Sequence, residues 1–369
     1  MKVALVHDFL TKLGGAERVL KTFAEMYPQA PIFTLLYDEK ACGKVFPRER
    51  VKTSWLQKLP SALRKRQKFL FPLMPRAIEM LDLSDYNLII SSSNAYAHGI
   101  LTPSDSVHIC YCHSPMRYAW DYAHKYMEEQ KAGRFAKGLA GRMIKNVRFW
   151  DQIASDRPDY YIANSYHVSQ RIGKYYRQKS EIIYPPVETD RFRANEIHED
   201  YYLIVSTLTP YKKIVQAVQL FNKIQRRLVV IGDGPQRKYL EAVAGPTVDI
   251  LGRKDDETVK TYLQNCRAYI MPNEEDFGIS PVEAMACGKP VIAYAKGGIL
   301  ETVIPGKTGV LYLEPTFASL EDALGRFLTN EYDFKPHTIR RHALQFSEDK
   351  FKENFKKFVD TVASRHSLC

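Results

Sequence analysis

Short runs of apolar residues alternate with longer polar stretches of helical periodicity along most of the chain. The runs occupy residues 3–6, 88–91, 108–112, 160–163 and 182–184, and then 202–206, 228–231, 248–251, 268–271, 291–293 and 309–312. Uninterrupted apolar runs of this length are typical of strands that are buried on both faces. Strands that alternate with helices form parallel sheets, so the pattern predicts an α/β fold with helices on both faces of each sheet.

The alternation is interrupted near the middle of the chain by a pair of prolines. Pro185 and Pro186 lack backbone N–H donors and stop regular structure. A length of 369 residues also suits two domains, since a domain commonly has about 100–200 residues. We therefore predict two Rossmann-like βαβ domains that face each other across a cleft, at residues 1–190 and 191–346, followed by a C-terminal helix at 347–369.

The charge of the chain is basic and unevenly distributed. The formal net charge is +11, and residues 1–190 hold 28 Lys and Arg against 19 Asp and Glu, a balance of +9. A basic first half suggests a polyanionic partner, either a membrane surface or a nucleic acid. Interleaved aromatic and basic motifs for nucleic acid are missing, so we expect no nucleic-acid partner.

A basic amphipathic stretch between residues 61 and 80 is the candidate membrane contact. Its cationic side chains lie beside Phe69, Leu70, Phe71, Leu73 and Met74, which we expect to be exposed, and this combination suits an anionic lipid surface. The alternative is a solvated surface helix, and the sequence favours neither. The predicted contacts are Arg64, Lys65, Arg66 and Lys68.

The apolar runs and the cysteines indicate the compartment. No run approaches the roughly 18–20 apolar residues that span a bilayer, and the first ten residues fit a buried strand better than a signal peptide. The six cysteines have neither the paired spacing of a zinc site nor the density of a disulfide scaffold. We expect a cytoplasmic protein that meets the inner face of the membrane only peripherally.

Acidic residues, a glycine and a proline follow one another between residues 272 and 288. Glu275 precedes a turn at Gly278, and Glu283 follows Pro281, which marks a helix start, so we expect Glu283 in the first helical turn. Free N–H groups at a helix start beside the carboxyl end of a strand favour an anionic ligand. Carboxylates bind vicinal hydroxyl groups well because each oxygen accepts from a separate O–H. The alternative is that Glu283 only stabilises the helix dipole.

Three further strand ends carry polar or glycine residues. Gly14 and Gly15 follow the first strand, and a glycine pair lets a diphosphate approach the backbone at a helix N-terminus. His113 follows another strand, although a buried histidine at a sheet edge is the simpler interpretation from the residues alone. Lys212 and Lys213 follow the first strand of the second half, where a positive charge can neutralise a leaving diphosphate.

The spacing Glu275-x7-Glu283, in the setting EEDFGISPVEAMACGKPVIA, resembles the signature of the retaining GT-B glycosyltransferases of family 4. The resemblance extends along nearly the whole chain and implies GT-B architecture, with a C-terminal helix that crosses back to the first domain. It implies that Glu275 contacts the transferred sugar and that Glu283 holds the ribose hydroxyls. The backbone at Phe277, Gly278 and Ile279 would line the sugar and phosphate pocket.

The same resemblance covers the glycine pair and the histidine. Gly14 and Gly15 resemble the family's GGAE loop, which lies near the donor phosphates. His113 resembles the family's active-site histidine, which hydrogen-bonds the donor sugar. The resemblance therefore adds a site role to residues that are individually ordinary.

One position departs from the family pattern. The family usually has an arginine where this chain has Thr207, whereas the following lysine is matched by Lys212. Lys213 or Arg253 is then the candidate that supplies the missing positive charge. No acidic pair of the DxD kind lies in a suitable turn, so we expect no metal and no other cofactor. The implied reaction is metal-independent sugar transfer with retention, in which the leaving phosphate takes the acceptor proton.

Within the family, three blocks resemble bacterial mannosyltransferases of surface-polysaccharide and lipopolysaccharide assembly: HDFLTKLGGAERVL, CHSPMRYAWD and IIYPPVETDRF. This implies GDP-mannose as the donor and a lipid-linked glycan as the acceptor. Three alternatives stay open, namely a UDP-sugar donor, a GT-B epimerase of sugar nucleotides, and a weakened or non-catalytic sugar-nucleotide binder. Thr207 motivates the last of these.

Overall fold

Each half of the chain contributes its own parallel sheet, in a computed structural model that describes residues 1–64, 70–121 and 134–366. The chain divides into two compact units, one formed by Met1–Tyr184 with Lys352–Cys369 and the other by Pro185–Phe351. Every strand pair that the structure describes is parallel. This confirms the prediction of two Rossmann-like α/β domains.

The first sheet has seven strands in the order β3-β2-β1-β4-β5-β6-β7. The strands are β1 Val3–Leu10, β2 Ile32–Tyr37, β3 Val51–Thr53, β4 Leu88–Ser93, β5 Val107–Cys112, β6 Tyr160–Ala163 and β7 Ser180–Ile182. Its helices are α1 Gly15–Met26, α2 Glu39–Cys42, α3 Ser61–Arg64, α4 Met74–Glu79, α5 Arg134–Ala154 and α6 Tyr166–Tyr175. Every residue of β2, β4 and β5 is buried, as expected for strands covered on both faces.

The second sheet has six strands in the order β10-β9-β8-β11-β12-β13. The strands are β8 Tyr202–Val205, β9 Leu228–Ile231, β10 Val248–Gly252, β11 Ala268–Met271, β12 Val291–Tyr294 and β13 Gly309–Tyr312. The helices are α7 Ile214–Ile224, α8 Arg237–Val243, α9 Asp256–Asn265, α10 Ile279–Ala286, α11 Ile299–Thr302, α12 Phe317–Thr329 and α13 Pro336–Ala343. The last helix, α14, spans Glu348–Arg365.

Short 3₁₀ helices occur in both units, mostly in the connections between strands and helices. They span Arg48–Arg50, Trp55–Lys58, Phe71–Leu73, Ala97–Gly99, Thr189–Arg191, Pro210–Lys212, Glu331–Asp333 and Leu344–Phe346. The one at Pro210–Lys212 matters most for function, because it carries Lys212 at the carboxyl end of β8.

The division between the units falls after Tyr184, whereas the sequence placed it after Asp190. The segment between them hydrogen-bonds to residues of the second unit. Val187 forms a parallel bridge with Ser347, and its N–H donates to the carbonyl of Phe346 at 3.0 Å. Because these bonds tie the residues after the proline pair to the second unit, the boundary coincides with the prolines.

Helix α14 begins in the second unit and continues in the first from Lys352 onward. Within the first unit, the ring of Phe355 lies 4.6 Å from that of Phe23, and the ring of Phe358 meets that of Tyr160 edge-on at 5.9 Å. Burial of an aromatic side chain of this kind contributes about 2–3 kcal/mol. The predicted C-terminal helix that crosses back to the first domain is therefore confirmed, and apolar packing is its cause.

A buried carboxylate anchors the loop that follows β4. The two oxygens of Asp8, on β1, accept four backbone N–H groups at 2.6–3.1 Å. The donors are Asn94, Ala95, Tyr96 and Ala97. Charge-assisted bonds of this kind are stronger than neutral ones, so Asp8 fixes the carboxyl edge of the first sheet beside its central strands.

Candidate functional site

Chain order reverses between two neighbouring strands at the centre of the second sheet. From β8 the chain proceeds outward through β9 and β10, and then returns to β11 on the other side of β8. The loops that leave two such strands diverge, and the crevice at their carboxyl ends is the usual ligand site of open α/β sheets. The loops concerned are residues 206–213 after β8 and residues 272–278 after β11.

Two of the predicted catalytic residues meet at this crevice. The ammonium group of Lys212, from the β8 loop, donates to Oε1 of Glu275, from the β11 loop. Their side chains are only 11% and 24% exposed, so the pair is weakly screened by solvent. Asn273 Nδ2 also donates to Glu275 Oε1, at 3.0 Å. The carboxylate is thus held by two donors, and the positive charge of Lys212 is already neutralised.

The backbone of Glu275 lies against a glycine pair in the loop after β12. Glu275 forms a parallel bridge with Gly297, and the N–H of Gly298 donates to the carbonyl of Glu275 at 2.9 Å. A Cβ atom on Gly297, whose φ is +85°, would lie 2.1 Å from that carbonyl oxygen. A Cβ on Gly298 would lie 2.3 Å from the carbonyl oxygen of Asp276. Only glycines permit the loop of Glu275 to approach this closely.

Helix α10 differs from the prediction at its start. The helix begins at Ile279 after Gly278, whose φ is +91°, so Pro281 is its third residue and Glu283 lies in the second turn. The prediction that Glu283 lies in the first turn is therefore wrong, and stabilisation of the helix dipole explains this residue poorly, because that effect falls off within the first turn. Glu283 is buried, at 5% exposure.

The aromatic residue before this helix belongs to the core. The side chain of Phe277 is buried, and its ring packs edge-on against that of Phe346 at 5.6 Å between centroids. Gly278 and Ile279 are half-buried. Only the backbone of Phe277 is therefore available to line a ligand pocket, as the resemblance implies.

The two candidate substitutes for the missing arginine lie apart from each other. Lys213 adopts a left-handed conformation, with φ +53°, at the start of α7, and its ammonium group lies 4.9 Å above the ring of Tyr294. Arg253 is exposed in the loop after the edge strand β10, two strands from β8. That separation is about 10 Å at the usual strand spacing. Thr207 itself is exposed.

A second glycine turn supports the loop that carries Lys212. The N–H of Leu208 donates to the carbonyl of Asp233 at 2.9 Å, and the N–H of Gln236 donates to the carbonyl of Leu208 at 2.9 Å. A Cβ on Gly232 would lie 1.8 Å from the carbonyl oxygen of Ser206. The β8 and β9 loops therefore hold each other in place at the crevice.

In the first unit, His113 is fixed at the end of β5. Its Nε2 lies 2.8 Å from Ser92 Oγ, and its N–H donates to the carbonyl of Ser93 at 2.9 Å. Asn164 Nδ2 donates to its carbonyl at 3.0 Å. The histidine is only 7% exposed. Hydrogen bonds hold both its ring and its backbone.

Gly14 of the first unit hydrogen-bonds to a carboxylate that no sequence motif singled out. Gly14 caps α1, and its N–H donates to Glu17 Oε2 at 2.9 Å. Glu17 Oε1 in turn lies 3.7 Å from Nε2 of His7 on β1. His7 and Glu17 occur in the quoted motif HDFLTKLGGAE, but only the fold brings them together, because nine residues of chain lie between them.

Burial and ion pairing have opposite effects on the pKa values of His7 and Glu17. Burial alone would lower the pKa of His7, but its hydrogen bond to Glu17 and the Glu17 charge outweigh burial and raise the pKa. Burial alone would raise the pKa of Glu17, and the contact with His7 instead lowers it. Both directions favour a charged pair.

The predicted membrane contact is described only in part. Lys65, Arg66 and Lys68 lie outside the described residues, whereas Arg64 ends α3 and donates through Nε to the carbonyl of Leu59 at 3.1 Å. The apolar side chains expected to be exposed beside them behave differently. Leu70 and Met74 are buried in the core of the first unit, so the prediction of an apolar face there is wrong for these residues.

Other apolar residues of the stretch occupy intermediate or exposed positions. Phe71 is half-buried and its ring contacts those of Tyr96 and Tyr118 at 6.2 and 5.0 Å. Leu63 and Leu73 are exposed. Over the described part of the chain, no helix combines the length and apolarity that crossing a membrane requires.

His, Cys, Asp and Glu side chains are the usual metal ligands in proteins. Among residues 1–64, 70–121 and 134–366, no three or more His, Cys, Asp or Glu residues cluster in a way that could hold a metal ion. The expectation of metal-independent chemistry stays a prediction.

Two family models together match most of the chain. The model for Glycosyltransferase Family 4 matches residues 13–191, and the model for Glycosyl transferases group 1 matches residues 187–346. The two matches overlap at residues 187–191, just after the boundary at Tyr184 between the structural units. Together they cover residues 13–346, so the chain belongs to the glycosyltransferases of family 4 and group 1 that these two models describe.

Similarity to curated relatives is partial. The chain is 28% identical over 219 residues to an uncharacterized glycosyltransferase of Methanocaldococcus jannaschii, covering 57% of this chain and 62% of that protein. It is 38% identical over 109 residues to the alpha-1,3/1,6-mannosyltransferase ALG2 of Dictyostelium discoideum, covering 29% of this chain and 25% of that protein. The matched segments thus span less than two thirds of either relative.

Solved structures share the fold over almost the whole chain. Anabaena HepE in complex with UDP-glucose has a TM-score of 0.71 at 17% identity and covers 98% of this chain and 100% of its own. Sucrose-phosphate synthase of Thermosynechococcus elongatus has a TM-score of 0.69 at 16% identity, covering 99% and 100%. These structures confirm the GT-B fold, while the roles of individual site residues stay predictions.

Substitution of Gly297 tests the close approach between the Glu275 loop and the glycine pair. Gly297→Ala is expected to destabilise the second unit by about 2 kcal/mol more than Gly306→Ala and to increase hydrogen exchange across residues 272–278, because its Cβ collides with the Glu275 carbonyl. Gly306 is the matched control, since its φ is +75° but nothing lies within 4 Å of a Cβ there. Equal losses in thermal unfolding, with unchanged exchange, would contradict the close-approach argument.

Proposed function

We propose that the protein transfers a hexose, with mannose from GDP-mannose as the leading candidate, to a hydroxyl group of a lipid-linked glycan acceptor. The reaction proceeds with retention at the anomeric carbon and serves the assembly of a polysaccharide or O-antigen. The observation that carries this proposal is the contact between Lys212 and Glu275 at the point where strand order reverses in the second sheet. A cation for the diphosphate and a carboxylate for the sugar hydroxyls thereby lie side by side.

Donor binding would exchange the partners of this ion pair. A diphosphate that enters the crevice competes with Glu275 for the ammonium group of Lys212. Once Lys212 binds the phosphate, Glu275 Oε1 accepts a hydrogen bond from a hydroxyl group of the sugar. Asn273 keeps the carboxylate in place through its 3.0 Å hydrogen bond. In the free protein, Glu275 thus occupies the place of the diphosphate at Lys212, and Lys212 occupies the place of the sugar hydroxyl at Glu275.

The reaction then needs charge stabilisation and orientation. The bond from the anomeric carbon to the diphosphate oxygen breaks, and the acceptor oxygen forms a new bond to the same face of that carbon. The acceptor proton passes to the leaving diphosphate oxygen. Lys212 stabilises the negative charge that develops there, which is an interaction that strengthens in the transition state.

Recognition of the nucleotide falls to the segment before and within α10. Glu283 is proposed to accept hydrogen bonds from the ribose hydroxyl groups. The backbone at Phe277, Gly278 and Ile279 is proposed to line the pocket for the sugar and the phosphates. In the first unit, Gly14 and Gly15 are proposed to lie near the phosphates, and His113 to contact the sugar. Lys213 and Arg253 are the remaining candidates for added positive charge.

A UDP-sugar is the alternative donor. Support for mannose comes from the partial match to a mannosyltransferase, whereas the similar structure of Anabaena HepE contains UDP-glucose. Sugar choice depends on a few pocket contacts, so a small change in side chains alters it.

A weakened or non-catalytic sugar-nucleotide binder is the second candidate function. Two observations favour it, namely the exposed Thr207 in place of the family arginine and the neutralisation of Lys212 by Glu275. Such a protein binds the donor but turns it over slowly, because the leaving group receives too little positive charge.

Substitution of the two carboxylates tests the proposed roles. Glu283→Ala is expected to weaken donor binding about tenfold or more through lost ribose hydrogen bonds. Glu275→Ala is expected to lower kcat about 100-fold, with a smaller effect on donor affinity. Glu321→Ala removes an exposed carboxylate paired with Lys223 and is the control. Equal donor affinity and equal turnover in both site variants would refute the assignment.

Chelation tests the proposed absence of a metal cofactor. Transfer activity is expected to persist in excess EDTA, because Lys212 and the backbone N–H groups at the start of α10 replace a divalent cation at the diphosphate. Initial rates with EDTA, with added magnesium and with added manganese provide the measurement. Strict dependence on either ion would overturn this part of the proposal.

The first unit is proposed to dock on an anionic membrane surface, where a lipid-linked acceptor is held. Residues 1–190 carry +9 of the +11 net charge. One side of α5 adds an exposed stripe, since Arg142, Lys145, Phe149 and Ile153 are all exposed and fall on one face at helical spacing. Cations beside exposed apolar side chains suit the lipid interface.

Liposome flotation tests this docking. Charge reversal at Arg64, Lys65, Arg66 and Lys68 is expected to reduce binding to acidic vesicles strongly at low salt, because each cation contributes about 1 kcal/mol. High salt should weaken wild-type binding through screening. The control reverses four exposed lysines of the second unit, Lys238, Lys254, Lys307 and Lys335. Wild-type indifference to acidic lipid, or equal binding by both variants, would show that the stretch is only a solvated face.

A further inference from the structure

Three consecutive serines at the end of β4 each hydrogen-bond to a histidine. The contacts are Ser91 Oγ to His108 Nε2 at 2.7 Å, Ser92 Oγ to His113 Nε2 at 2.8 Å, and Ser93 Oγ to His98 Nδ1 at 3.3 Å. Ser92 has a second contact of this kind, since its Oγ also lies 3.1 Å from His7 Nδ1. Ser92 therefore joins the buried His7–Glu17 pair to His113.

The partners of His7 determine where its protons are. Its Nδ1 lies 3.0 Å from the backbone carbonyl oxygen of Ser92, and its Nε2 faces Glu17 Oε1 at 3.7 Å. A carbonyl oxygen and an ionised carboxylate only accept hydrogen bonds. Nδ1 of His7 is therefore a hydrogen-bond donor, and the carboxylate that faces Nε2 favours a proton there as well. The raised pKa of His7 and the lowered pKa of Glu17, caused by their contact despite burial, agree with this geometry.

The other groups near the pair do not reverse this assignment. The charge of Asp8, on the same strand as His7, also favours the imidazolium form, and that of Lys12 favours the ionised form of Glu17. His98 and His108 provide the contrast within the same unit, because burial lowers the pKa of each to about 3 and keeps the ring neutral. His98 also faces a carboxylate, Asp151 Oδ1 at 3.4 Å, but burial raises the pKa of Asp151 to about 7. The partner of His7 differs, because the contact with His7 lowers the pKa of Glu17.

The protonation of His7 then orients the hydroxyl of Ser92. Because His7 Nδ1 donates, the Ser92 O–H cannot donate to it and turns to the other nitrogen within reach, Nε2 of His113. A ring nitrogen that accepts a hydrogen bond carries no proton, so a neutral His113 has its proton on Nδ1. The chain of contacts runs from α1 through β1 and β4 to the end of β5.

We propose that Glu17 and His7 act through Ser92 as positioning residues that hold His113 as the neutral tautomer protonated on Nδ1. The consequence for catalysis, that His113 presents a fixed donor to the sugar, rests on the proposed function. The tautomer itself does not, because it follows from hydrogen bonds within the first unit. A neutral donor at this place can orient a hydroxyl of the sugar without adding a positive charge.

Nuclear magnetic resonance of the full chain labelled with ¹⁵N-histidine tests the tautomer directly. Two-bond ¹⁵N–¹H correlations are expected to show His113 neutral and protonated on Nδ1, and His7 doubly protonated, at pH 7. Ser92→Ala removes the donor and is expected to shift His113 toward the Nε2-protonated form. It should also lower kcat about tenfold while donor KM changes less than about twofold, as expected for lost orientation.

Glu17→Gln approaches the same network from the other end and does not remove the serine. His7 is expected to lose the proton on Nε2, the nitrogen that faces residue 17, while Nδ1 still donates to the Ser92 carbonyl. The loss of this positive charge is expected to move the His113 resonances, although neither ring nitrogen of His113 touches residue 17. Two matched controls are Ser91→Ala, which removes the hydroxyl bound to His108, and Glu25→Gln, on the exposed side of α1. Both control variants should leave the ¹⁵N–¹H correlations of His113 and the turnover rate unchanged.

The outcomes separate this inference from the proposed function. A wild-type His113 protonated on Nε2 or on both nitrogens overturns the inference, as does a Glu17→Gln spectrum in which His7 and His113 are unchanged. If the tautomers and their shifts are as expected but no nucleotide sugar is turned over, the positioning network stands and the proposed transferase activity fails.

Discussion

The reversal of strand order between β8 and β11 is the constraint on which the candidate site depends. It separates the loops after these two strands and leaves their polar residues to meet at one crevice, where Lys212 and Glu275 form an ion pair. The neighbouring loops then hold this arrangement from both sides. Gly297 and Gly298 admit the backbone of the Glu275 loop, and Gly232 admits the backbone of the β8 loop. The glycines of the second unit are thus as important to the site as its charged residues, because they set the distance between the loops.

The two units use buried charge in different ways. In the second unit the ion pair is partly accessible and is expected to exchange one partner for a ligand, so its stability in the free protein opposes binding. In the first unit, the carboxylates of Asp8 and Glu17 are buried and satisfied by backbone N–H groups and by His7. A network of this kind is costly to break, which suits a scaffold that must keep His113 in one orientation. The Lys212–Glu275 contact is thus exchangeable, whereas the buried network of the first unit is fixed.

The sequence predicts the elements well and their junctions less well. Strands β9, β11 and β13 coincide with the predicted apolar runs at 228–231, 268–271 and 309–312, because an uninterrupted apolar run directly reports burial on both faces. The domain boundary and the start of α10 are displaced by a few residues, since hydrogen bonds from Val187 to the second unit and the left-handed turn at Gly278 are not encoded in periodicity. Leu70 and Met74 are buried for a similar reason: an amphipathic pattern cannot say which side faces the core.

The site was predictable where the chain carries a local motif, and not where distant residues combine. Glu275 and Lys212 could be selected because each follows a buried strand, and the sheet order then brings them together. The contacts among Glu17, His7, Ser92 and His113 join four elements, and no spacing in the sequence indicates them. The hydroxyl and imidazole groups concerned are common in sheet edges, so only their mutual distances reveal the network.

Calorimetric titration with nucleoside diphosphates tests the central claim most directly, because it isolates the ion pair from sugar chemistry. GDP and UDP are each titrated into the wild-type protein, Glu275→Gln and Lys212→Gln, in the presence of EDTA. If a diphosphate competes with Glu275 for Lys212, Glu275→Gln binds the preferred nucleotide more tightly than the wild type, and Lys212→Gln binds it about tenfold more weakly or worse, since one charge-assisted hydrogen bond contributes about 1.5–3 kcal/mol. Loss of affinity in both variants, or no binding of either nucleotide to the wild type, would contradict the account.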